Sequence, residues 1–343
     1  MKKNIKVLLI GMMAILMLFV SCSKDGETES GEKIYTVYLA CDSPEDTVTY
    51  ILLDKFASLM EEKSNGRIVA RRYSNAKLGG DVEITEALQH GNITFVVQNT
   101  APQVNFVPEL GVFDLPMAFP NIEVARKVLD GPLLDKLKEY HAKQNIRLYG
   151  YADQGFREMT SNKKIEKMSD LKGLKIRTMS NPNHIEFWKA VGANPTPMNF
   201  GELYIGLQQG VVVAQENPIE TTVAAKLYEQ QDYVITTNHI IHALSLIGSP
   251  AILDKFPEDL QQIIDESAKE AIEYARKVAD ERAAGRLKIV RDSGTEIIEF
   301  NQQLYDDMKA AGQPLYDSIS KKIGKDLVDL LTEEVKKSFK LIE

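Results

Sequence analysis

Ile34-Tyr-Thr-Val-Tyr-Leu39, the tract Thr47 to Ser64, and Arg67-Ile-Val-Ala-Arg-Arg-Tyr73 form the stretch on which the fold turns. The first and third pieces are short apolar runs of strand length. The tract between them carries Ile51, Leu52, Phe56, Leu59 and Met60 on one helical face and stops at Asn65-Gly66. A helix over Val82 to Gln89 and a strand over Thr94 to Val97 continue the alternation. The β-α-β-α order predicts an α/β fold on an open parallel sheet with helices on both faces.

The pattern breaks at Pro102, Pro108, Pro116 and Pro120, which suggest loops at the edge of a cleft. It resumes with a helix near Leu133 to Lys143 and a strand at Ile146 to Tyr151. A second α/β unit begins near Gln154, with strands expected at Leu174 to Arg177 and Val211 to Ala214 and helices at Asn183 to Val191 and Gly201 to Gln209. Pro257 to Val290 reads as one long helical tract whose weak point is Gly285. Gln303 to Ile319, with a break expected at Pro314, and Lys325 to Phe339 complete a helical last third. The chain of 343 residues thus reads as two lobes.

The N-terminus reads as an export signal. Lys2, Lys3 and Lys6 precede a 14-residue apolar run, Val7 to Val20. About 20 apolar residues are needed to span a bilayer, so the run suits a cleaved signal over residues 1–21. Phe19-Val-Ser-Cys22 resembles a bacterial lipobox, with Phe19 where leucine is usual, and makes Cys22 the expected lipidation site. Residues 22–32 then form a polar, lipid-anchored linker. Loss of residues 1–21 removes three lysines and no acid, taking the formal charge from −8 to −11. An acidic chain lacks the general positive face that nucleic acid requires, so no nucleic-acid partner is expected. Besides Cys22 the chain holds Cys41 alone, which is expected to stay unpaired.

No phosphate-binding loop, dinucleotide fingerprint, nucleophile elbow or zinc-protease motif is present. His239 and His242 stand three apart without an obvious third ligand, so no metal and no cofactor are expected. Three segments instead put polar residues where an apolar core does not need them: Tyr151-Ala-Asp-Gln-Gly-Phe-Arg157, Gly173-Leu-Lys-Ile-Arg177, and the strand running into Asn217-Pro218. In open α/β sheets ligands bind beyond the carboxyl ends of strands, where Arg157, Arg177 and Asn217 are expected. Two guanidinium groups suit a carboxylate, because their planar paired donors match its two oxygens. Asn217 reads as an N-cap with Pro218 at the first helical position, which would add a helix N-terminus to the anion site. Each arginine could equally pair with an acid of the fold.

With these residues the sequence resembles the solute-binding proteins of tripartite ATP-independent periplasmic (TRAP) transporters. The likeness is densest in Gly173-Leu-Lys-Ile-Arg177, Gly192-Ala-Asn-Pro-Thr-Pro-Met198, Leu207-Gln-Gln-Gly210, Gln215-Glu-Asn-Pro218 and Thr237-Asn-His239, with Leu78-Gly79-Gly80 and Phe113-Asp-Leu-Pro116 nearer the start. It implies a two-lobed periplasmic-binding fold with a cleft and a long interlobe helix. Lobe I is expected over 33–154 plus about 243–282, and lobe II over 155–242 plus about 283–343. By the same resemblance Arg177 makes the bidentate bridge to the ligand carboxylate, Arg157 supports it, Asn217 donates an amide and Phe200 packs on the ligand. Asn99 or Gln98 reads the rest of the molecule, Asp42 follows the first strand toward it, and Ser180 and His184 stand nearby. Val213-Ala214 replaces the Asp-Gly usual in the family, and the glutamate of sialic-acid-binding members is not found near Asn99, which disfavours that ligand.

The function implied is capture of a small organic anion (a uronic or aldonic acid, or a C4-dicarboxylate) on the extracytoplasmic face, with delivery to the membrane subunits of a TRAP permease. The alternatives are an anchored enzyme acting on an acidic sugar, for which Asp42, Asp153 or His184 would supply the acid or base, and a ligand-binding partner of a sensor kinase.

Overall fold

The computed structural model describes residues 31–342. The expected signal, Cys22 and most of the linker lie outside the described residues. The first sheet contains β1 (Tyr35–Ala40), β2 (Ile68–Tyr73), β3 (Phe95–Asn99), β4 (Arg147–Phe156) and β10 (Ile241–Gly248), in the order β2-β1-β3-β10-β4. The second holds β5 (Glu158–Ser161), β6 (Lys175–Thr178), β7 (Asn194–Pro197), β8 (Ala214–Asn217), β9 (Tyr233–Ile235) and β11 (Glu296–Ile298), in the order β11-β9-β5-β8-β6-β7.

The longer helices are α1 (Val48–Lys63), α2 (Asp81–Gln89), α3 (Ile122–Leu129), α4 (Pro132–Lys143) and α5 (Pro182–Ala190), then α6 (Phe200–Gln208), α7 (Ile219–Ala224), α8 (Glu258–Asp292), α9 (Gln302–Ile323) and α10 (Lys325–Lys340). Helix α1 shows how local sequence sets this architecture. The Thr47 hydroxyl caps it by accepting from the Tyr50 N–H at 3.3 Å, and Asn65 and Gly66, both at positive φ, end it. Its apolar face buries Leu52, Leu53, Phe56 and Met60 against the first sheet. Each such side chain contributes about 1.5–3 kcal/mol on burial.

Three expectations need correction. The sheets are mixed, not parallel. β1, β2 and β3 run parallel, but β10 pairs antiparallel with both β3 and β4, and β5 is antiparallel to β8 and β9. β10 returns from the second sheet and enters the first from its opposite end, a direction that no local pattern encodes. Second, the strand expected at Val211 to Ala214 is Ala214–Asn217, because buried Gln215, Glu216 and Asn217 occupy it while Val211 is exposed. Third, α9 runs through Pro314 without a break. Proline removes one helical N–H, but the buried stripe Leu304, Met308, Leu315 and Ile319 holds the helix on both sides of it.

Helix α8 is continuous over 35 residues, Gly285 included, and packs across α1 and β4. Helix α10 packs against α3 and α4, so the C-terminal helices lie partly on elements of the first segment. The chain passes between the sheets at Arg157, the single residue between β4 and β5, and again over 236–240 between β9 and β10. The Arg157 N–H donates to the Ile240 carbonyl at 2.9 Å, fixing the two crossings side by side.

Candidate functional site

Where the sheets face each other, two small adjoining cavities of about 30 and 20 Å³ share Asp42, Asp81, Arg177, Met179 and Phe200 as walls. Asn99, Asn217 and His242 line the first, and Ser180 the second. Asp42 follows β1, Asn99 ends β3, Arg177 lies in β6 and Asn217 ends β8, so strand ends from both sheets meet here as the topological rule predicts. Of the residues picked from the sequence, the structure brings Asp42, Asn99, Arg177, Phe200 and Asn217 to one place.

Arg177 is the cation of this site. Its Nε and Nη2 donate to the Met198 carbonyl at 3.0 and 2.7 Å, which fixes the plane of the guanidinium. Nη1 is buried and has no hydrogen-bond partner among the described residues, and only 2% of the residue is exposed. Burial first, and then the charge of Arg157, push its pKa down to about 10. A buried guanidinium with an unused N–H group is a strong anion acceptor, since an arriving carboxylate makes a charge-assisted bond and relieves the cost of desolvation.

Arg157 occupies a different setting. It is fully buried and pairs with Glu216 through Nε and Nη2; Nη2 also donates to the Glu216 carbonyl and to Asn217 Oδ1 at 3.1 Å. His239 Nε2 stands 3.1 Å from the same carboxylate, with Thr237 Oγ1 at 2.8 Å from its Nδ1. Burial opposes ionisation of Glu216, yet the Arg157 charge and the His239 hydrogen bond hold its carboxyl well below the usual carboxylate range. The arginine therefore has a partner in the fold, and it reaches the cavity through its neighbours. Its Nη1 donates to His242 Nδ1 at 2.6 Å, which leaves the His242 proton on Nε2 as a neutral donor.

Asn217 does not cap a helix. It closes β8, Pro218 caps the six-residue α7, and the amide of Asn217 donates to Gln215 Oε1 at 2.6 Å. The expected anion site at a helix N-terminus is therefore not formed. Asn99 caps the turn at 100–103, accepting from the Ala101 N–H at 2.8 Å and donating to the Ala243 carbonyl at 3.1 Å. Gln98 points away from the cavity. With its amide nitrogen facing Asp81, it donates to Asp81 Oδ1 at 3.2 Å and accepts from Thr85 at 2.6 Å. His184 does not line the cavities; it stands behind them, with Nε2 3.0 Å from Asp114 Oδ1 and Nδ1 4.0 Å from Glu216 Oε1.

Asp81 and His242 were missed. An acid opening a helix reads as ordinary charge complementarity, and His242 in the sequence stands out only as a possible metal ligand beside His239. Among the described residues no cluster of His, Cys, Asp and Glu could hold a metal ion. Behind the site, Glu158 accepts from the Asn238 N–H at 2.9 Å, and burial raises its carboxyl from the ordinary 4.5 to about 8. Between those values the folded chain keeps a proton that the unfolded chain has released, so stability falls as pH rises through that window. Glu158→Gln is expected to flatten this decline, melting higher than the parent at pH 8 and close to it at pH 4. Melting curves that stay parallel across the range would show that Glu158 carries no such penalty.

A broader groove of about 890 Å³ beside α3 and α8 offers no comparable buried group among the described residues, because its Arg126 is paired with Asp153 and Asp280 at 2.7 and 2.8 Å and its Arg291 is exposed. Two sheets joined by short crossings, closing on the buried Arg177 guanidinium, define a receptor for a small anion. The sequence pattern described as bacterial extracellular solute-binding protein, family 7, matches residues 40–322, and the chain belongs to this family. Its members are receptors of TRAP transporters and not enzymes. The chain is 30% identical over 288 residues to the 2,3-diketo-L-gulonate-binding periplasmic protein YiaO of Escherichia coli, covering 83% of this chain and 87% of that one. It superposes with a TM-score of 0.87 and 30% identity on the sugar acid binding protein DctPAm of Advenella mimigardefordensis in complex with galactonate, covering 89% of this chain and 99% of that one. A TRAP periplasmic solute binding protein of Sulfurospirillum deleyianum with bound succinate gives 0.82 at 33% identity, covering 87% and 98%.

Proposed function

We propose that this chain captures a carboxylate-bearing small molecule, a uronic or aldonic acid or a C4-dicarboxylate, and delivers it to the membrane subunits of a TRAP permease. The observation that carries the reading is the buried, unpartnered Nη1 of Arg177 at the wall of the interlobe cavity. The galactonate and succinate of the structural relatives are carboxylates of the sizes considered. In this reading Arg177 grips the carboxylate, Asn217, Asn99 and His242 offer further hydrogen bonds, Phe200 packs on the carbon chain, and Arg157 holds Asn217 and His242 in place. The lobes, 33–154 plus about 243–282 and 155–242 plus about 283–343, part and close around the ligand, with α9 and α10 bridging them. A thermal-shift panel of small carboxylates with neutral sugars as controls tests this, because a ligand of the folded state alone raises the melting temperature. Shifts confined to carboxylates and lost in Arg177→Ala are expected; shifts with neutral sugars alone would overturn the reading.

The same proposal places the protein on the extracytoplasmic face by a lipid on Cys22, after removal of residues 1–21. Phe19-Val-Ser-Cys22 supports this. Cys22→Ser should move the protein from the membrane pellet to the soluble extracytoplasmic fraction. An unchanged distribution would rule out the anchor.

A further inference from the structure

Around the cavity, positive charge is scarce and acid is plentiful. Arg177 is the one Lys or Arg among the lining residues, whereas Asp42 and Asp81 both line the two cavities and are close enough to hydrogen-bond to each other. Each acid is held in place. The Ser43 hydroxyl donates to Asp42 Oδ1 at 2.9 Å, and Gln98 donates to Asp81 Oδ1 at 3.2 Å. The remaining polar walls include Thr49, Thr221, Asn99 and Asn217, all neutral. Thr49 and Thr221 are tied through Gln154, which donates to the first at 2.8 Å and accepts from the second at 2.7 Å, so these walls are fixed from both sheets.

Resting on carboxylate capture at Arg177, we propose that Asp42 and Asp81 select a hydroxylated monocarboxylate, a sugar acid, by accepting its O–H groups, and that they exclude dicarboxylates. Burial first, and then their mutual repulsion, favour a pair that shares one proton; that donor is used between the two acids, so their outer oxygens only accept, and a ligand hydroxyl satisfies them where a second carboxylate does not. A dicarboxylate would set its far charge against this pair with no second cation among the lining residues to meet it. Like charges placed together disfavour ionisation of both, and a desolvated cavity strengthens that repulsion. A site built to bond a ligand hydroxyl also rejects the analogue that lacks it, because its own polar groups are then left unpaired.

The test is calorimetric titration of the mature chain with gluconate, galactonate, succinate and γ-aminobutyrate, repeated on Asp42→Asn and Asp81→Asn. One of the two aldonates is expected to bind the parent at least about 100-fold tighter than succinate. Either asparagine variant should shrink that ratio about tenfold or more, mainly by admitting succinate. A merely structural loss would weaken all ligands alike and leave the ratio unchanged, which would overturn the proposal. Succinate binding the parent as tightly as the aldonates would overturn it too, while leaving carboxylate capture intact. Tighter binding of γ-aminobutyrate than of either aldonate would also overturn it, since the acids would then be reading an ammonium group. Failure of every carboxylate in an Arg177-dependent assay would instead overturn the underlying reading.

Discussion

Replacing Arg177 with alanine is expected to weaken carboxylate binding by about 30-fold to several thousand-fold while leaving the protein folded. The range follows from truncating one member of a buried, hydrogen-bonded charge pair, which costs roughly 2–5 kcal/mol, with each 1.4 kcal/mol a factor of ten. Folding should suffer little. Among the described residues the buried guanidinium hydrogen-bonds to the Met198 carbonyl alone, through Nε and Nη2. Removing it gives up those two bonds and the attraction of Glu216, Asp42 and Asp81, but also lifts the cost of burying a guanidinium, so the changes oppose each other. Titration of the parent and variant with the best carboxylate of the panel, beside melting of each without ligand, separates the effects. Retained affinity in a folded Arg177→Ala would remove the basis for the site.

Arg157→Met is expected to act the other way, costing roughly 3–5 kcal/mol of stability before any effect on ligand is read. Breaking a buried pair leaves its partner's charge uncompensated in low dielectric. That partner is Glu216, which is fully buried and keeps the His239 ring at 3.1 Å and the His184 ring at 4.0 Å once the guanidinium is gone. Arg157 also forms the one-residue passage between the sheets, so the damage falls on the joint between them. A urea midpoint well below that of the parent is expected, with partial recovery in Arg157→Met/Glu216→Gln, where both charges are removed together. Full stability with lost ligand affinity would instead make Arg157 a direct ligand contact, as its place in the sequence first suggested.

The α/β class was legible because residues 34–97 separate cleanly into strand-length apolar runs and a helix with one apolar face. Strand direction was not legible. β10 runs antiparallel because the chain has already crossed to the second sheet and back, and pairing with β3 about 145 residues earlier leaves no local trace. β8 was placed three residues early because Gln215, Glu216 and Asn217 are polar and yet buried, a burial justified only by Thr160, Arg157 and His239 from distant segments. The same distance hid the fate of Arg157, whose partner lies 59 residues away. Arg177 was readable as a cation at a strand end, and Asp42 followed from its place after β1. Asp81 was not, since the pairing that gives it meaning comes from the β1 loop.

A small carboxylate of the proposed class cannot enter cavities of about 30 and 20 Å³, which have room for a water or two. Arrival and departure therefore both pass through a parted arrangement of the two halves, and the contacts that join the halves belong to the clock of the transporter as much as to its affinity. Gln154, bonded to Thr49 on one side and Thr221 on the other, and the Asp46–Arg286–Glu220 bridge at 2.8 Å per pair lie on that path. Loosening them shortens the dwell of the solute without touching a single atom that recognises it. A membrane partner that pries the halves apart could unload its cargo by the same route.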